Sequence, residues 1–255
     1  MVLVQASVMP HGAMVLDPAM RELPDGATAL HTACARTASA LAASEPELIV
    51  LTTPHGMALP ETVGVYRHET VEGTAAWAGA WEDFTVSAQG DAAAADGLVS
   101  YLKGRDFDAV GLTGPGMYAP LRWGEAVPLW FLQQAGALAA GGARVLIISW
   151  PTCRLEARAF TPTASLFGRF LQEWASALPQ RVALLASCDM SHAHATPPDS
   201  LSIYASDHYP GAQRGRDPGS RGPLRCCRDE LGNDARGGRR GGGRPKAAQQ
   251  LRHCR

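Results

Sequence analysis

The sequence predicts an α/β fold, a single domain with a largely parallel central sheet flanked by helices. Short apolar runs rich in β-branched residues recur along the chain, each too short for a typical helix. Longer stretches with helical apolar spacing lie between them, so strands alternate with helices. Three of the strand runs lead directly into histidine-bearing segments, and in parallel sheets ligands gather at the carboxyl ends of strands.

The first strand is Val2 to Val8, followed by Met9-Pro10-His11-Gly12. Asp17-Pro18 and Pro24-Asp25-Gly26 mark a loop. Residues 27–44 predict a helix, with Leu30, Cys34, Thr37 and Leu41 on one face. Pro46 ends it, and the strand Leu48 to Thr53 runs into Pro54-His55-Gly56. A β-loop-α-β order of this kind predicts a parallel pair with a right-handed crossover. Residues 61–87 are less regular; Thr62 to Tyr66 has strand character, and Trp77, Trp81 and Phe84 are expected mainly to pack, as aromatic residues usually do.

Residues 91–103 predict a helix and residues 108–113 a strand. Gly114-Pro115-Gly116 follows and is not a dinucleotide-binding GxGxxG fingerprint. Pro128 suits the first turn of a helix carrying Leu129, Trp130, Phe131 and Leu132, which Gly141-Gly142 stops. Residues 144–150 form the clearest central strand. Residues 163–177 predict an amphipathic helix, and residues 182–187 a last strand entering Cys188-Asp189-Met190-Ser191-His192-Ala193-His194.

The composition narrows the function classes. Apolar residues make up 46% of 255, ordinary for a soluble globular chain. The apolar runs fall far short of the roughly 18 residues a membrane span needs, so no membrane partner is expected. No basic leader segment precedes the first strand, so no secretory signal is expected. Six cysteines without a CxxC pair argue against a disulfide framework and for a reducing cytoplasm.

The net charge of −1 hides a split. Residues 211–255 carry 12 Lys+Arg against 4 Asp+Glu, whereas residues 1–210 carry 11 against 20. The tail holds ten Gly and only three Leu as large aliphatic residues, with neither helical nor strand period. It is expected to be disordered, because it cannot bury enough apolar surface to offset ordering entropy. A reading-frame change in a GC-rich gene would give such a run; a basic nucleic-acid tail is the alternative, and nucleic acid is not the expected partner.

A histidine at a strand end more often packs or caps a turn than binds a ligand. The repeated Pro-His-Gly makes His11 and His55 a candidate metal pair, since neutral imidazole is the commonest ligand for first-row metals. After the last strand, Asp189 is placed to orient His192 for proton transfer, with His194 secondary.

Four segments occur in order: Met9-Pro10-His11-Gly12, Thr53-Pro54-His55-Gly56, Trp123-Gly124-Glu125-Ala126-Val127-Pro128-Leu129 and Ser187-Cys188-Asp189-Met190-Ser191-His192. Together they resemble the catalytic-subunit family of class III extradiol ring-cleavage dioxygenases, which includes protocatechuate 4,5-dioxygenase and DOPA dioxygenases and is related to the Memo proteins. The resemblance spans roughly residues 1–210. It implies an α/β fold with non-haem Fe(II) at the strand ends, Zn being allowed in its place. It implies a catecholic substrate cleaved with O₂ beside its two hydroxyl-bearing carbons. By resemblance His11 and His55 match the metal-binding histidines and His192 the acid/base. The third ligand is usually a C-terminal Glu, and Glu230 is the only Glu of the tail. Many members carry a His where this chain has Trp123.

Two other classes stay open. One is a cysteine hydrolase using Cys188 with His192 or His194 and Asp189. The other is a Memo-like binding protein with an incomplete metal site. A homo-oligomer is also left open.

Overall fold

The computed structural model describes residues 2–17, 27–57, 59–76, 80–114, 119–151 and 157–188. Asp189, His192, His194, Glu230 and the whole 211–255 segment lie outside them. All described residues fall within one unit, which ends at Ser220.

The fold is α/β. The main sheet has six strands: β1 (Val2–Met9), β2 (Leu48–Thr53), β3 (Val63–Tyr66), β6 (Ala109–Leu112), β8 (Arg144–Ser149) and β9 (Arg181–Ser187), in the order β1-β9-β2-β8-β3-β6. The first four neighbours are mutually parallel. β3 then runs antiparallel to β8, and β6 parallel to β3. β1 and β2 share a direction as expected, but they are not a pair: β9, last in sequence, lies between them.

The central strands are apolar throughout because both faces are covered. Ile49, Leu51, Val145, Ile147, Ala183 and Leu185 point to one side, packed with α1 (Ala27–Ala43) and α3 (Trp123–Gln134). Leu48, Val50, Leu146, Ile148 and Val182 point to the other, packed with α2 (Ala92–Lys103) and α4 (Ala157–Ala177). The helices answer with the matching spacing. Cys34, Ala38 and Leu41 line α1, and Ala95, Leu98 and Leu102 line α2. Asp91 starts α2 by accepting the Ala94 N–H at 2.9 Å.

A second, three-stranded sheet was not foreseen. It consists of β4 (Thr70–Thr74), β5 (Thr85–Gln89) and β7 (Ala119–Leu121), in the order β5-β4-β7. Gln133 at the end of α3 ties to it, accepting from Ser87 N–H and donating to Thr85 O. Trp81 and Phe84 pack against the core on this side, in line with the packing reading; Trp77 lies outside the described residues.

Two helix expectations need correction. α3 begins at Trp123, not around Pro128, which therefore lies inside the helix. α4 begins at Ala157, six residues before the expected start, and takes Pro162 inside it. A proline within a helix removes one amide donor and frees the carbonyl four residues earlier.

The core makes a simple prediction. Ile147 is fully buried between sheet and helices, whereas Leu30 on α1 is 49% exposed. Ile147→Ala should cost about 2–5 kcal/mol, and Leu30→Ala no more than about 0.5 kcal/mol. Urea midpoints at unchanged m-value measure both.

Candidate functional site at the strand ends

Because β1, β9, β2 and β8 are parallel, their carboxyl ends share one edge. Met9 is level with Ser187, and Thr53 with Ser149. The chain is held there by backbone hydrogen bonds between segments: Cys188 N–H to Met9 O at 3.0 Å and Trp150 N–H to Thr53 O at 2.8 Å.

His11 stands two residues beyond β1 and His55 two beyond β2. Their rings meet edge to face, with centroids 4.6 Å apart and planes at 83°. His11 is buried and His55 half-buried. Thr53 Oγ1 accepts the His55 N–H at 3.1 Å, which closes the turn carrying the ring. Thus the two histidines that the repeated Pro-His-Gly singled out are neighbours in space.

The first turn of α3 packs against this pair. The Trp123 ring lies 5.2 Å from the His55 ring, centroid to centroid. Gly124 comes so close to β2 that a Cβ on it would sit 2.6 Å from His55 Cβ and 2.9 Å from Thr53 Oγ1. The Gly124 carbonyl accepts the Ser187 hydroxyl, and Ser187 Oγ lies 3.2 Å from His11 Nδ1. Ser187 is buried at the end of β9.

Glu125 follows and is fully buried. Its Oε2 accepts the Arg122 N–H at 3.0 Å and its Oε1 the Tyr66 hydroxyl at 3.1 Å. The Tyr66 oxygen in turn accepts the Met57 N–H at 2.7 Å, two residues beyond His55. Burial pushes the Glu125 carboxyl up to about 7, outweighing the hydrogen bonds that favour its charged form. Burial, then the neighbouring Glu125, pushes the Tyr66 phenol well above its ordinary range. Gly56 makes room here: a Cβ on it would meet Ser149 Oγ at 2.7 Å and Glu125 Oε1 at 2.9 Å.

Cys188 is half-buried just past β9, and Cys34 is buried in α1, its thiol pushed up to about 11 by desolvation. Such a thiol is inert at neutral pH. Asp189, His192 and His194, the partners named for Cys188, lie outside the described residues. So does Glu230, and among the described residues no cluster of three or more His, Cys, Asp and Glu side chains has metal-binding geometry. Tyr66, Ser149 and Ser187 belong to the site without having been singled out as candidates. Ser187 opens the fourth segment of the resemblance, and the proline four residues after Gly124 is a second sequence signal for it.

Among the described residues, hollows lie at both edges of the sheet. One of about 630 Å³ lies between β1, β9, β2 and α4, with walls that include Val50, Leu184, Phe167 and Trp150, and reaches the site through Ser187 and Cys188. The larger, about 720 Å³, lies at the opposite, amino edge, where Arg181 pairs with Glu45. The chemistry-bearing side chains are at the carboxyl edge, so the larger hollow is not the site.

No family model matches the chain, and no curated protein does. Among solved structures it is similar to the uncharacterized protein JW3007 from Escherichia coli K12, at 19% identity over 62% of this chain, with a TM-score of 0.39. The chain spans about half of that protein, 54% of its length. A superposition this loose bears on neither fold nor function. Among the described residues, no helix is long and apolar enough to cross a membrane.

The buried carboxyl gives a pH prediction. Glu125 is raised from 4.5 to about 7, so between those values the folded chain holds a proton that the unfolded chain has released. The stability this represents is present below the lower value and lost as pH rises through the upper one. At about 1.4 kcal/mol per unit, the loss is roughly 3 kcal/mol. Urea unfolding at about pH 5 and about pH 8 should show wild type losing stability relative to Glu125→Gln. Parallel pH dependence in the two proteins would remove the assignment.

Proposed function

We propose that the protein is a non-haem Fe(II)-dependent dioxygenase that cleaves a catecholic ring with O₂ beside its hydroxyl-bearing carbons. The observation carrying this reading is the meeting of His11 and His55 at the strand ends, rings 4.6 Å apart. Supporting it, the four segments of the family resemblance converge. Met9–Gly12, Thr53–Gly56, the first turn of α3 and the start of the fourth segment at Ser187 touch one another directly or through one neighbour.

The residues fit such a metal as far as they are described. Two imidazoles on stiff turns, one buried, supply two ligands of a two-His-one-carboxylate set. The resemblance implies a C-terminal Glu as the third ligand, and Glu230, the one Glu of the tail, lies outside the described residues. Bound Fe(II) would supply open coordination positions for a catechol and for O₂. The chain's own residues would do the rest. His11 and His55 would hold the ion, Trp123 would shield one face of His55 from water, and His192 would accept a catechol hydroxyl proton on a ring nitrogen and return it later. Cys34 and Cys188, the described cysteines, are outside any disulfide, which suits a reducing cytoplasm.

The experiment is anaerobic Fe(II) loading, metal analysis, and O₂ uptake with a panel of catechols. His11→Ala and His55→Ala should each lose most of the bound iron. His192→Ala should keep iron and lose turnover by roughly 10²–10⁴-fold. Wild-type iron stoichiometry in both metal-ligand variants would overturn the shared site. Tight iron binding without O₂ uptake on any catechol would make this a binding protein, and a chelator-insensitive activity abolished by thiol alkylation would make it a Cys188 hydrolase.

A further inference from the structure

We infer that Ser187 is a positioning residue that fixes which nitrogen of His11 carries the proton. Pro128 lies inside α3 and has no amide hydrogen, so the Gly124 carbonyl, four residues earlier, lacks its helical donor. The Ser187 hydroxyl fills that place from the end of β9. A serine hydroxyl has one hydrogen, and a carbonyl can only accept, so that hydrogen is committed to Gly124.

Toward His11 the Ser187 oxygen can then only accept. His11 Nδ1, 3.2 Å away, must be the donor. In the neutral ring only one nitrogen is protonated, so the lone pair is on Nε2. Both side chains are buried, 3% and 4% exposed, so water does not compete for these bonds. A proline in a helix, a hydroxyl on a strand and a ring on a loop thus form one directed chain, Nδ1–H to Oγ–H to carbonyl. The functional consequence, that His11 offers Nε2 to a metal, rests on the proposed function; the tautomer itself does not. An orienting partner on the far ring nitrogen commonly changes metal affinity by about 10–100-fold.

The test uses the full-length, metal-free chain with ¹⁵N-labelled histidine, at a pH where free imidazole is neutral. Long-range ¹H–¹⁵N correlation reads the tautomer, and loss of one signal set in His11→Gln assigns it. Wild type should show Nδ1–H at His11. Ser187→Ala, which leaves Nδ1–H buried without its acceptor, should shift the ring toward Nε2–H and weaken Co(II) binding by about 10–100-fold. Ser187→Thr, which keeps the hydroxyl, should restore both. Nε2–H in wild type overturns the inference by itself, whether or not any variant folds. So does a Ser187→Ala protein that is less stable but unchanged in tautomer. If the tautomer is as expected and His11→Ala still binds Co(II) like wild type, the positioning of the ring stands and the metal reading fails.

Discussion

The candidate site depends on one steric constraint: the first turn of α3 lies against the end of β2 with no side chain at position 124. A Cβ on Gly124 would fall 2.6 Å from that of His55, well inside contact distance. Several consequences follow from that approach. Trp123 is placed beside the His55 ring. The Gly124 carbonyl reaches Ser187 and, through it, His11. Glu125 is carried into the interior, where no charged side chain would go unaided. One helical turn therefore lies against the His55 turn, reaches His11 through Ser187, and carries the carboxyl held by Tyr66 and the Arg122 amide.

The glycine of Pro-His-Gly at position 56 has a similar role. Its backbone does not adopt the left-handed conformation, which among the described glycines is confined to Gly136 and Gly141. Glycine is needed for space, since a Cβ would press on Ser149 and Glu125. Gly56 thus admits both β8 and α3 to the His55 turn, and Gly124 lets α3 approach the same turn from its own backbone. Around them the polar groups are tightly matched, with the Ser149 hydroxyl as an exception, buried without a hydrogen-bond partner. The Glu125 carboxyl is matched too, yet its burial outweighs two accepted hydrogen bonds and leaves it titrating near neutrality. Desolvation of a whole charge is larger than the few kcal/mol that two such bonds return.

How much of this was legible depended on whether the information was local. β2, β8 and β9 could be read because strands buried on both faces become continuous apolar runs. The histidine pair could be read because Pro-His-Gly repeats after two such runs. The small sheet could not. Its strand β7 is only Ala119-Pro120-Leu121, and β4 contains Glu72 and Gly73, so neither resembles a strand until the two are side by side. The start of α3 was hidden by Gly124 and Pro128, both poor helix formers. They are tolerated because the missing side chain of one admits β2 and the missing amide of the other is replaced by Ser187 from a distant strand. The spacing of Gly124 and Pro128 shows that a carbonyl lacks its helical donor, but not that Ser187 supplies one.

The strand order explains why Ser187 in particular occupies this place. β1 and β2 are separated by β9, so their backbones lie about 9.6 Å apart at ordinary strand spacing. Their histidine rings are nevertheless in contact, centroids 4.6 Å apart. The rings therefore converge across the end of the strand between them. That end is Ser187, level with Met9, the last residue of β1. A residue beneath two converging rings must be small enough to admit them and polar enough to satisfy a buried ring nitrogen. Serine meets both demands. The insertion of the last strand between the first two therefore brings the loops of β1 and β2 into one site and places the hydroxyl that orients His11.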